Sequence, residues 1–304
     1  GFIQNFANYQ SETGPLLWAV GEHFRYTRDM PWLRRAAPRL VKSCDYLLAW
    51  RERNKRPELR PTGCYGLVDG KVSDPNDFYH SFFLNAGTYL GLSRMAEALA
   101  HVRPNYARRL KAELPGYRFD IAESLRLALA LAPVTPLADG TWTPWLPSWA
   151  DRSGASPLYL EGLRCWTHGT VAARNCLTGP LWLGIGEVFD CRSREMALML
   201  KANQHPVTRE NAALSQPYYC RHDFAHLRRG EVKLFLKAYY NQLTALQDRE
   251  TYTFWEHYYG VSQHKTHEEA WFLMQTRWML YMEDGSRLDL FKGIPRQWLT
   301  PGRR

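Results

Sequence analysis

The amino-acid sequence predicts an all-α fold built from antiparallel helical hairpins. Apolar residues recur at helical spacing in most segments, whereas the alternation of apolar and polar residues that marks a half-buried strand is nearly missing. Helical hairpins of similar length follow one another along the sequence, which indicates a ring of helices. The architecture expected from the residues alone is therefore a set of paired helices around one large core.

The first hairpin is predicted near the start of the chain. Leu16, Val20 and Phe24 share one helical face, and this helix should end near Arg28. Pro31 suits the first turn of the next helix, because a backbone N–H at that position has no partner within the helix. The apolar spacing of this second helix continues through Leu33, Ala37, Leu40, Cys44 and Leu48.

The same spacing predicts helices along the rest of the chain. One runs from about Phe78 to Leu99, and the next begins after Arg103-Pro104 and continues beyond Gly116. Two connections are too long to be simple turns, and long loops on a rigid scaffold commonly carry function. These connections span residues 55–77 and about 132–178, and the further helices are expected at about 180–189, 193–204, 222–247 and 267–283.

Composition and charge exclude several classes of protein. The chain has 304 residues, of which 45% are hydrophobic and 23% charged, and no apolar run reaches the ~18 residues of a membrane span. The net charge is +9, but the basic residues are mixed with acidic ones and form no compact block. A solvated basic surface, or an acidic ligand such as a uronate-containing glycan, accounts for this charge. No nucleic-acid partner and no membrane partner are predicted.

The six cysteines do not form a recognisable metal-binding motif. None belongs to a C-x-x-C pair, so a structural zinc site is not predicted. In a chain of this length, buried free thiols are favoured over a disulfide framework. No metal and no cofactor are therefore predicted.

An aromatic run with one carboxylate provides the main candidate for chemistry. Residues 251–259 read Thr-Tyr-Thr-Phe-Trp-Glu-His-Tyr-Tyr, and Glu256 is the acid within them. Aromatic faces suit the C–H faces of sugars, and rings that exclude water raise the pKa of an enclosed carboxyl group. The alternative interpretation of Glu256 is a carboxylate near a helix start, beside a core tryptophan.

Several phrases of the sequence resemble the catalytic domain of six-hairpin glycosidases, the (α/α)6-toroid enzymes that include α-L-rhamnosidases. Gly14–Trp18 with Glu22–Leu33 is similar to a helix junction of that family, although Arg28 replaces its usual glycine. Residues 85–96 resemble an inner helix, and residues 288–299 resemble the exit towards a C-terminal β-domain. Thr253–Glu256 resembles the segment that carries a catalytic carboxylate.

The resemblance implies an (α/α)6-type toroid that is incomplete. A single α-helical toroid domain is expected over residues 1–304, with upstream hairpins and a C-terminal β-domain lying outside this sequence. An extracytoplasmic location, periplasmic or secreted, is also implied by the resemblance alone.

The implied activity is glycoside hydrolysis by carboxylate general acid/base catalysis, acting on a plant or microbial polysaccharide or oligosaccharide. By resemblance Glu256 is the general base, and its partner is expected to be Asp77 or, after it, Glu12. Asp77 also suits the N-cap of a helix. The side chains expected to bind the carbohydrate are Trp255, His257, Tyr258, His264, Trp145, Trp166, Tyr218 and Tyr219.

The segment after the aromatic run has an ambiguous pattern. Residues 263–270 contain His264, His267 and two acids, but their spacing is not that of the H-E-x-x-H metal motif. Thr266-x-x-Glu269 predicts a capping box for the following helix instead. His264 and Lys265 could also line the site around Glu256, because they follow it by one short loop.

Two other functions stay open at this point. A polysaccharide lyase would remove a proton beside a uronate carboxylate, with Tyr258, Tyr259 or His264 in that role and the positive charge attracting the substrate. A carbohydrate-binding scaffold without activity is the third possibility. Neither a glycine-rich phosphate loop nor a G-x-S-x-G elbow is present, which disfavours nucleotide and acyl-serine chemistry.

Overall fold

The chain is rich in helix and divides into two compact units. The computed structural model describes residues 10–72, 78–154, 179–204, 222–256, 263–299 and 302. Of these residues 61% are helical and 9% lie in strands, in agreement with the predicted all-α class. The ring of hairpins and the single domain stay predictions. Among the described residues, unit 1 holds 10–72, 78–134, 144–154 and 186–189, and unit 2 holds 135–143, 179–185, 190–204, 222–256, 263–299 and 302.

Unit 1 is built on four long helices. Short 3-10 turns precede the first helix and follow the second, at Gln10–Glu12 and Pro57–Leu59. Two short strands, β1 (Gly70–Lys71) and β2 (Phe78–Tyr79), pair in antiparallel fashion between the second and third helices. The helices are α1 (Thr13–Thr27), α2 (Met30–Arg53), α3 (Phe82–Leu99) and α4 (Pro104–Leu131).

Local chemistry sets the turn between α1 and α2. Arg28 adopts a left-handed conformation with φ 52°, and its N–H donates to the carbonyl of Phe24 at 2.9 Å. Asp29 caps α2 by accepting a hydrogen bond from the Trp32 N–H at 2.9 Å, and Pro31 lies in the first turn. The predicted end of α1 and the predicted position of Pro31 are both confirmed.

Helices α1 and α3 pack at close range because glycines face each other where they meet. A Cβ atom on Gly14 would lie 2.7 Å from backbone atoms of Gly87 and Thr88. A Cβ atom on Gly91 would overlap the carbonyl oxygen of Gly14 and lie 3.0 Å from its carbonyl carbon. The backbones of the two helices therefore contact each other directly, without side chains between them.

The predicted start of α3 at Phe78 is wrong. Phe78 and Tyr79 form strand β2, and the helix begins at Phe82. The apolar spacing continues through Phe78, but pairing with Gly70 and Lys71 overrides it, and such long-range pairing leaves no local signal.

Buried Asn85 attaches the connection after α2 to helix α3. Its side-chain oxygen accepts from the Val68 N–H, and its amide donates to the Val68 carbonyl, both at 2.9 Å. The hydroxyl of Tyr117 donates to the same Asn85 oxygen at 2.7 Å. Two helices thus hold this connection in place from the core.

Unit 2 contains five described helices and a terminal hairpin. The strands β5 (Tyr281–Asp284) and β6 (Arg287–Leu290) are antiparallel, and a 3-10 turn covers Arg296–Trp298. A further two-stranded hairpin, β3 (Val134–Pro136) and β4 (Trp142–Pro144), lies where the chain changes from one unit to the other. The helices are α5 (Trp182–Ile185), α6 (Arg194–Gln204), α7 (His222–Arg229), α8 (Val232–Leu246) and α9 (Thr266–Leu280).

Three predicted helices of unit 2 differ from the structure. The helix expected over 222–247 is interrupted at Gly230, whose φ of 79° suits glycine and ends α7. The helix expected over 180–189 is limited to α5, and the one expected to reach residue 283 ends at Leu280, where β5 begins. None of the described helices combines the length and the apolar character needed to cross a bilayer.

Candidate functional site

The carboxylate predicted to be catalytic, Glu256, lies on the connection between α8 and α9 in unit 2. Backbone hydrogen bonds fix this connection at two points, because the Trp255 N–H donates to Leu246 at 2.8 Å and the Lys265 N–H donates to Phe254 at 3.1 Å. Glu256 follows two buried aromatic residues, so its position is set by the core beneath it. The backbone that carries the carboxylate is therefore held by hydrogen bonds, and the Glu256 side chain is partly exposed.

Glu256 forms an ion pair with a lysine ammonium group. The Lys265 Nζ lies 2.6 Å from Glu256 Oε2, and the two side chains are 33% and 19% exposed, respectively. Phe254 and Trp255 are only 5% and 7% exposed, so both rings belong to the core of unit 2. A positive charge at this distance favours the ionised form of a carboxyl group, the opposite of the effect expected from aromatic enclosure.

The start of α9 adds a histidine to this pair. His267 lies in the first turn, and burial lowers its pKa, while the charge of Glu256 raises it and that of Lys265 lowers it. The predicted capping box is wrong, because Lys265, and not Thr266, occupies the N-cap position, and its side chain makes no capping hydrogen bond. We call Glu256, Lys265 and His267 the carboxylate cluster.

The other predicted carbohydrate-binding residues have varied positions. Trp255 is buried in unit 2, and His264 is an exposed residue with φ 59° just before α9. Trp145 belongs to unit 1 and is 38% exposed. His257, Tyr258, Trp166, Tyr218 and Tyr219 lie outside the described residues, and their roles stay predictions.

The proposed partners of Glu256 stay predictions. Asp77 lies outside the described residues. Glu12 is the last residue of the 3-10 turn in unit 1 and occupies the N-cap position of α1, where its side chain makes no capping hydrogen bond. Glu12 and Glu256 belong to different units.

A second group of reactive side chains, which the sequence did not indicate, lies in unit 1. Cys64, His80 and Asp151 bring a sulfur, an imidazole nitrogen and a carboxylate oxygen within 4.8 Å of one another. His80 Nδ1 and Asp151 Oδ1 are 2.8 Å apart, and the backbone N–H of His80 donates to Asp151 Oδ2 at 2.6 Å. We call these three residues the thiol cluster.

The thiol cluster is strongly coupled electrostatically. Burial lowers the pKa of His80, but its hydrogen bond and charge interaction with Asp151 and its contacts with Cys64 outweigh burial and raise the pKa to about 10. Burial raises the pKa of Asp151, whereas the hydrogen bond and charge of His80 lower it overall. The His80–Asp151 pair therefore carries opposite charges at neutral pH in the absence of another ligand.

A hydrogen-bond network continues from the thiol cluster to a second carboxylate. Asp69 Oδ1 accepts from Trp50 Nε1 and from Asn54 Nδ2, both at 2.8 Å, and Asn54 Nδ2 lies 3.4 Å from His80 Nε2. Burial raises the pKa of Asp69, but the hydrogen bonds from Asn54 and Trp50 lower it overall. These contacts join the thiol cluster to Asp69 through a partly buried polar network.

In the part of the chain that the structure describes, the thiol cluster is the one group of three cysteine, histidine or acidic side chains suited to holding a metal ion. Its members are far apart in sequence, so no spacing motif could indicate it. His80 does occur in the aromatic segment before α3, but a single histidine carries no specific signal.

Comparison with known proteins does not assign the chain to a family. No protein-family model, no curated protein and no solved structure matches it. The resemblance to six-hairpin glycosidases therefore stays a prediction, and function is argued from the residues and their geometry.

Proposed function

We propose that the protein is a glycoside hydrolase in which Glu256 acts as the general base. The observation that carries this proposal is the ion pair of 2.6 Å between Glu256 and Lys265, on a connection held by the core and with the carboxylate still 19% exposed. A general base must be ionised, fixed in place and accessible to water. Glu256 meets these requirements among the residues predicted to be catalytic.

The chemistry needs one carboxylate to activate water and one carboxylic acid to protonate the leaving oxygen. Glu256 takes the first role, since a neighbouring ammonium group favours its charged form. The second role belongs to Asp77 or Glu12, as predicted from the sequence. Of the residues predicted to bind the carbohydrate, His264 is exposed on this connection and offers a hydrogen-bonding group for a sugar hydroxyl.

Lys265 and His267 have supporting roles in this proposal. The ammonium group of Lys265 holds the Glu256 side chain in one orientation, which reduces the motion that a catalytic base must lose before reaction. His267 is kept neutral by burial, so it can accept or donate a hydrogen bond at neutral pH without adding a second positive charge.

The experiment measures the release of reducing sugar from a panel of plant and microbial polysaccharides, including uronate-containing ones. On any substrate that the wild type cleaves, Glu256→Gln should lose at least ~100-fold in rate, the typical contribution of a general acid or base. Glu250→Gln is the matched control, because Glu250 is an exposed glutamate on the same connection, and it should retain wild-type activity.

The outcomes separate the possible activities. Hydrolysis gives reducing sugar without an ultraviolet-absorbing product, whereas a lyase gives an unsaturated uronate that absorbs in the ultraviolet. Binding of glycans without either product identifies a carbohydrate-binding protein and contradicts the proposal. Near-normal hydrolysis by folded Glu256→Gln, checked by circular dichroism, would reject Glu256 as the base.

A further inference from the structure

The thiol cluster of unit 1 has the composition of a metal site. A thiol, an imidazole and a carboxylate converge from three separate segments, the connection after α2, the residue pair before α3 and the segment after Trp149. Cys64 is 2% exposed, and the side chains of His80 and Asp151 are 12% and 21% exposed. The group is therefore largely shielded from solvent while one side stays accessible.

Backbone hydrogen bonds set the relative positions of the two segments that carry His80 and Asp151. The Ala150 N–H donates to the His80 carbonyl at 3.0 Å, and the Phe82 N–H donates to the Ser148 carbonyl at 3.2 Å. An isolated antiparallel bridge joins Ser81 to Trp149, which is 1% exposed. The imidazole and the carboxylate are thus presented by a fixed piece of backbone.

The position of Cys64 is fixed independently. Its N–H donates to the Leu59 carbonyl at 3.0 Å, and its carbonyl accepts from the Leu67 N–H at 3.3 Å. Val68, the residue after Leu67, forms two hydrogen bonds with the side chain of Asn85 in α3, the helix that follows His80. All three side chains therefore depend on a shared local framework.

The donor atoms match one metal better than others. Thiolate and imidazole donors select zinc over magnesium and calcium, which prefer oxygen donors alone. Zinc binds sulfur at about 2.3 Å and nitrogen or oxygen at about 2.0–2.2 Å, so donor atoms around a tetrahedral ion lie about 3.5 Å apart. The three donor atoms all lie within 4.8 Å of one another, so side-chain shifts of about 1 Å bring them to that spacing.

We infer that Cys64, His80 and Asp151 bind a single Zn²⁺ ion, with water in the fourth position. On binding, the Cys64 thiol and the His80 imidazolium each release a proton to solvent, so that a thiolate and a neutral imidazole bind the ion. The ion takes the place between His80 and Asp151 that their 2.8 Å hydrogen bond occupies without it. This inference does not depend on the hydrolase proposal, since Glu256 and its neighbours contribute nothing to the site.

The test uses the full chain, stripped of metal with a chelator and then titrated with zinc in competition with a chromophoric indicator. Wild type should bind one zinc ion per chain, and Cys64→Ser should bind it at least about 100-fold more weakly, the upper range of loss for groups that only orient metal ligands. Cys44→Ser is the matched control, because Cys44 is also a free and fully buried cysteine of unit 1. It should bind zinc as wild type does.

Cobalt provides a second readout that does not require a variant. Co²⁺ bound to a thiolate shows a charge-transfer band in the near ultraviolet, so the cobalt-loaded wild type should show this band and Cys64→Ser should lack it. Asp151→Asn should keep the band but weaken binding by about 10–100-fold or more. Zinc should also raise the melting temperature of wild type and not that of Cys64→Ser.

Three results would overturn the inference. The first is the absence of stoichiometric zinc binding by wild type, with no thiolate band from cobalt. The second is equal zinc affinity in wild type and Cys64→Ser, which would assign binding to other side chains. The third is an equal loss in Cys44→Ser, which would indicate a general effect on the fold. If Cys64→Ser does not fold, the cobalt spectrum of wild type and the affinity of Asp151→Asn decide the matter.

Discussion

The close contact between α1 and α3 makes a sharp prediction about two glycines. Gly91 lies in the middle of α3, where an added Cβ would overlap the Gly14 carbonyl oxygen and lie 3.0 Å from its carbonyl carbon. Gly116 lies in the middle of α4, where an added Cβ would meet only the Arg51 guanidinium, at 3.8 Å. Alanine at either position gains the same helix propensity, so the two substitutions differ mainly in the space available.

The expected magnitudes follow from two opposing effects. Replacing glycine by alanine inside a helix stabilises it by about 1 kcal/mol, and forcing a methyl group into packed surroundings costs about 1–3 kcal/mol. At Gly91 the obstacle is backbone, which cannot rotate away, so the cost lies at the upper end of that range. We expect Gly91→Ala to lower the free energy of unfolding by about 1–2 kcal/mol and Gly116→Ala to raise it by up to about 1 kcal/mol.

Urea denaturation, followed by circular dichroism and tryptophan fluorescence, measures both variants against wild type. The midpoint of Gly91→Ala should fall and that of Gly116→Ala should rise or stay, with similar slopes for all three proteins. Equal midpoints for the two variants would refute the direct backbone contact between α1 and α3. A more stable Gly91→Ala would show that the helices are farther apart than described.

Two further predictions concern buried charged groups. Arg51, whose side chain is 5% exposed, pairs with Asp120 and lies 3.4 Å from Glu113. Arg51→Met leaves the Asp120 carboxylate without this cation, so it should destabilise the protein by about 3–5 kcal/mol in urea denaturation. Adding Asp120→Asn to the same chain should recover part of the lost stability, and no recovery would argue against this pairing. Burial lowers the pKa of His226 below 6.5 despite its contact with Glu231, so the unfolded state binds more protons than the folded state below that pH. The free energy of unfolding should therefore fall as the pH falls from about 6.5, by up to about 1.4 kcal/mol per pH unit. His226→Gln should reduce this acid sensitivity in thermal unfolding across pH 5–8 if His226 causes it, and an unchanged pH dependence would exclude His226 as its source.

Local signals predicted the first hairpin and failed where distant residues decide the structure. Asp29 and Pro31 act within one turn of the helix they begin, so the sequence contains the whole cause of that boundary. Phe78 has the apolar character expected of a helix, yet it pairs with Lys71 in β2. The end of α7 at Gly230 has no clear signal in the sequence pattern, because the apolar spacing resumes directly after this glycine.

The sequence points to Glu256 as a candidate carboxylate but does not indicate the charge beside it. The aromatic run pointed to Glu256, and Lys265 was expected nearby because one short connection separates them. The sequence could not show that the ammonium group contacts the carboxylate or that Trp255 is buried, since the direction of each side chain depends on the backbone hydrogen bonds that hold the connection. The expectation of an enclosed acid therefore becomes a proposal of an ionised base.

The start of α9 bears on that proposal, because its N-cap residue differs from the one that the predicted capping box requires. A capping box would have satisfied the exposed N–H groups of the first turn with the helix's own Thr266 and Glu269 side chains. The N-cap residue Lys265 makes no such hydrogen bond, and the first turn carries Glu268 and Glu269, the acidic residues that suit the positive end of a helix. Because Lys265 contacts Glu256, the ammonium group favours the charged form of the carboxylate. An acid catalyst needs surroundings that favour its protonated form, so the proposal assigns proton donation to a residue other than Glu256.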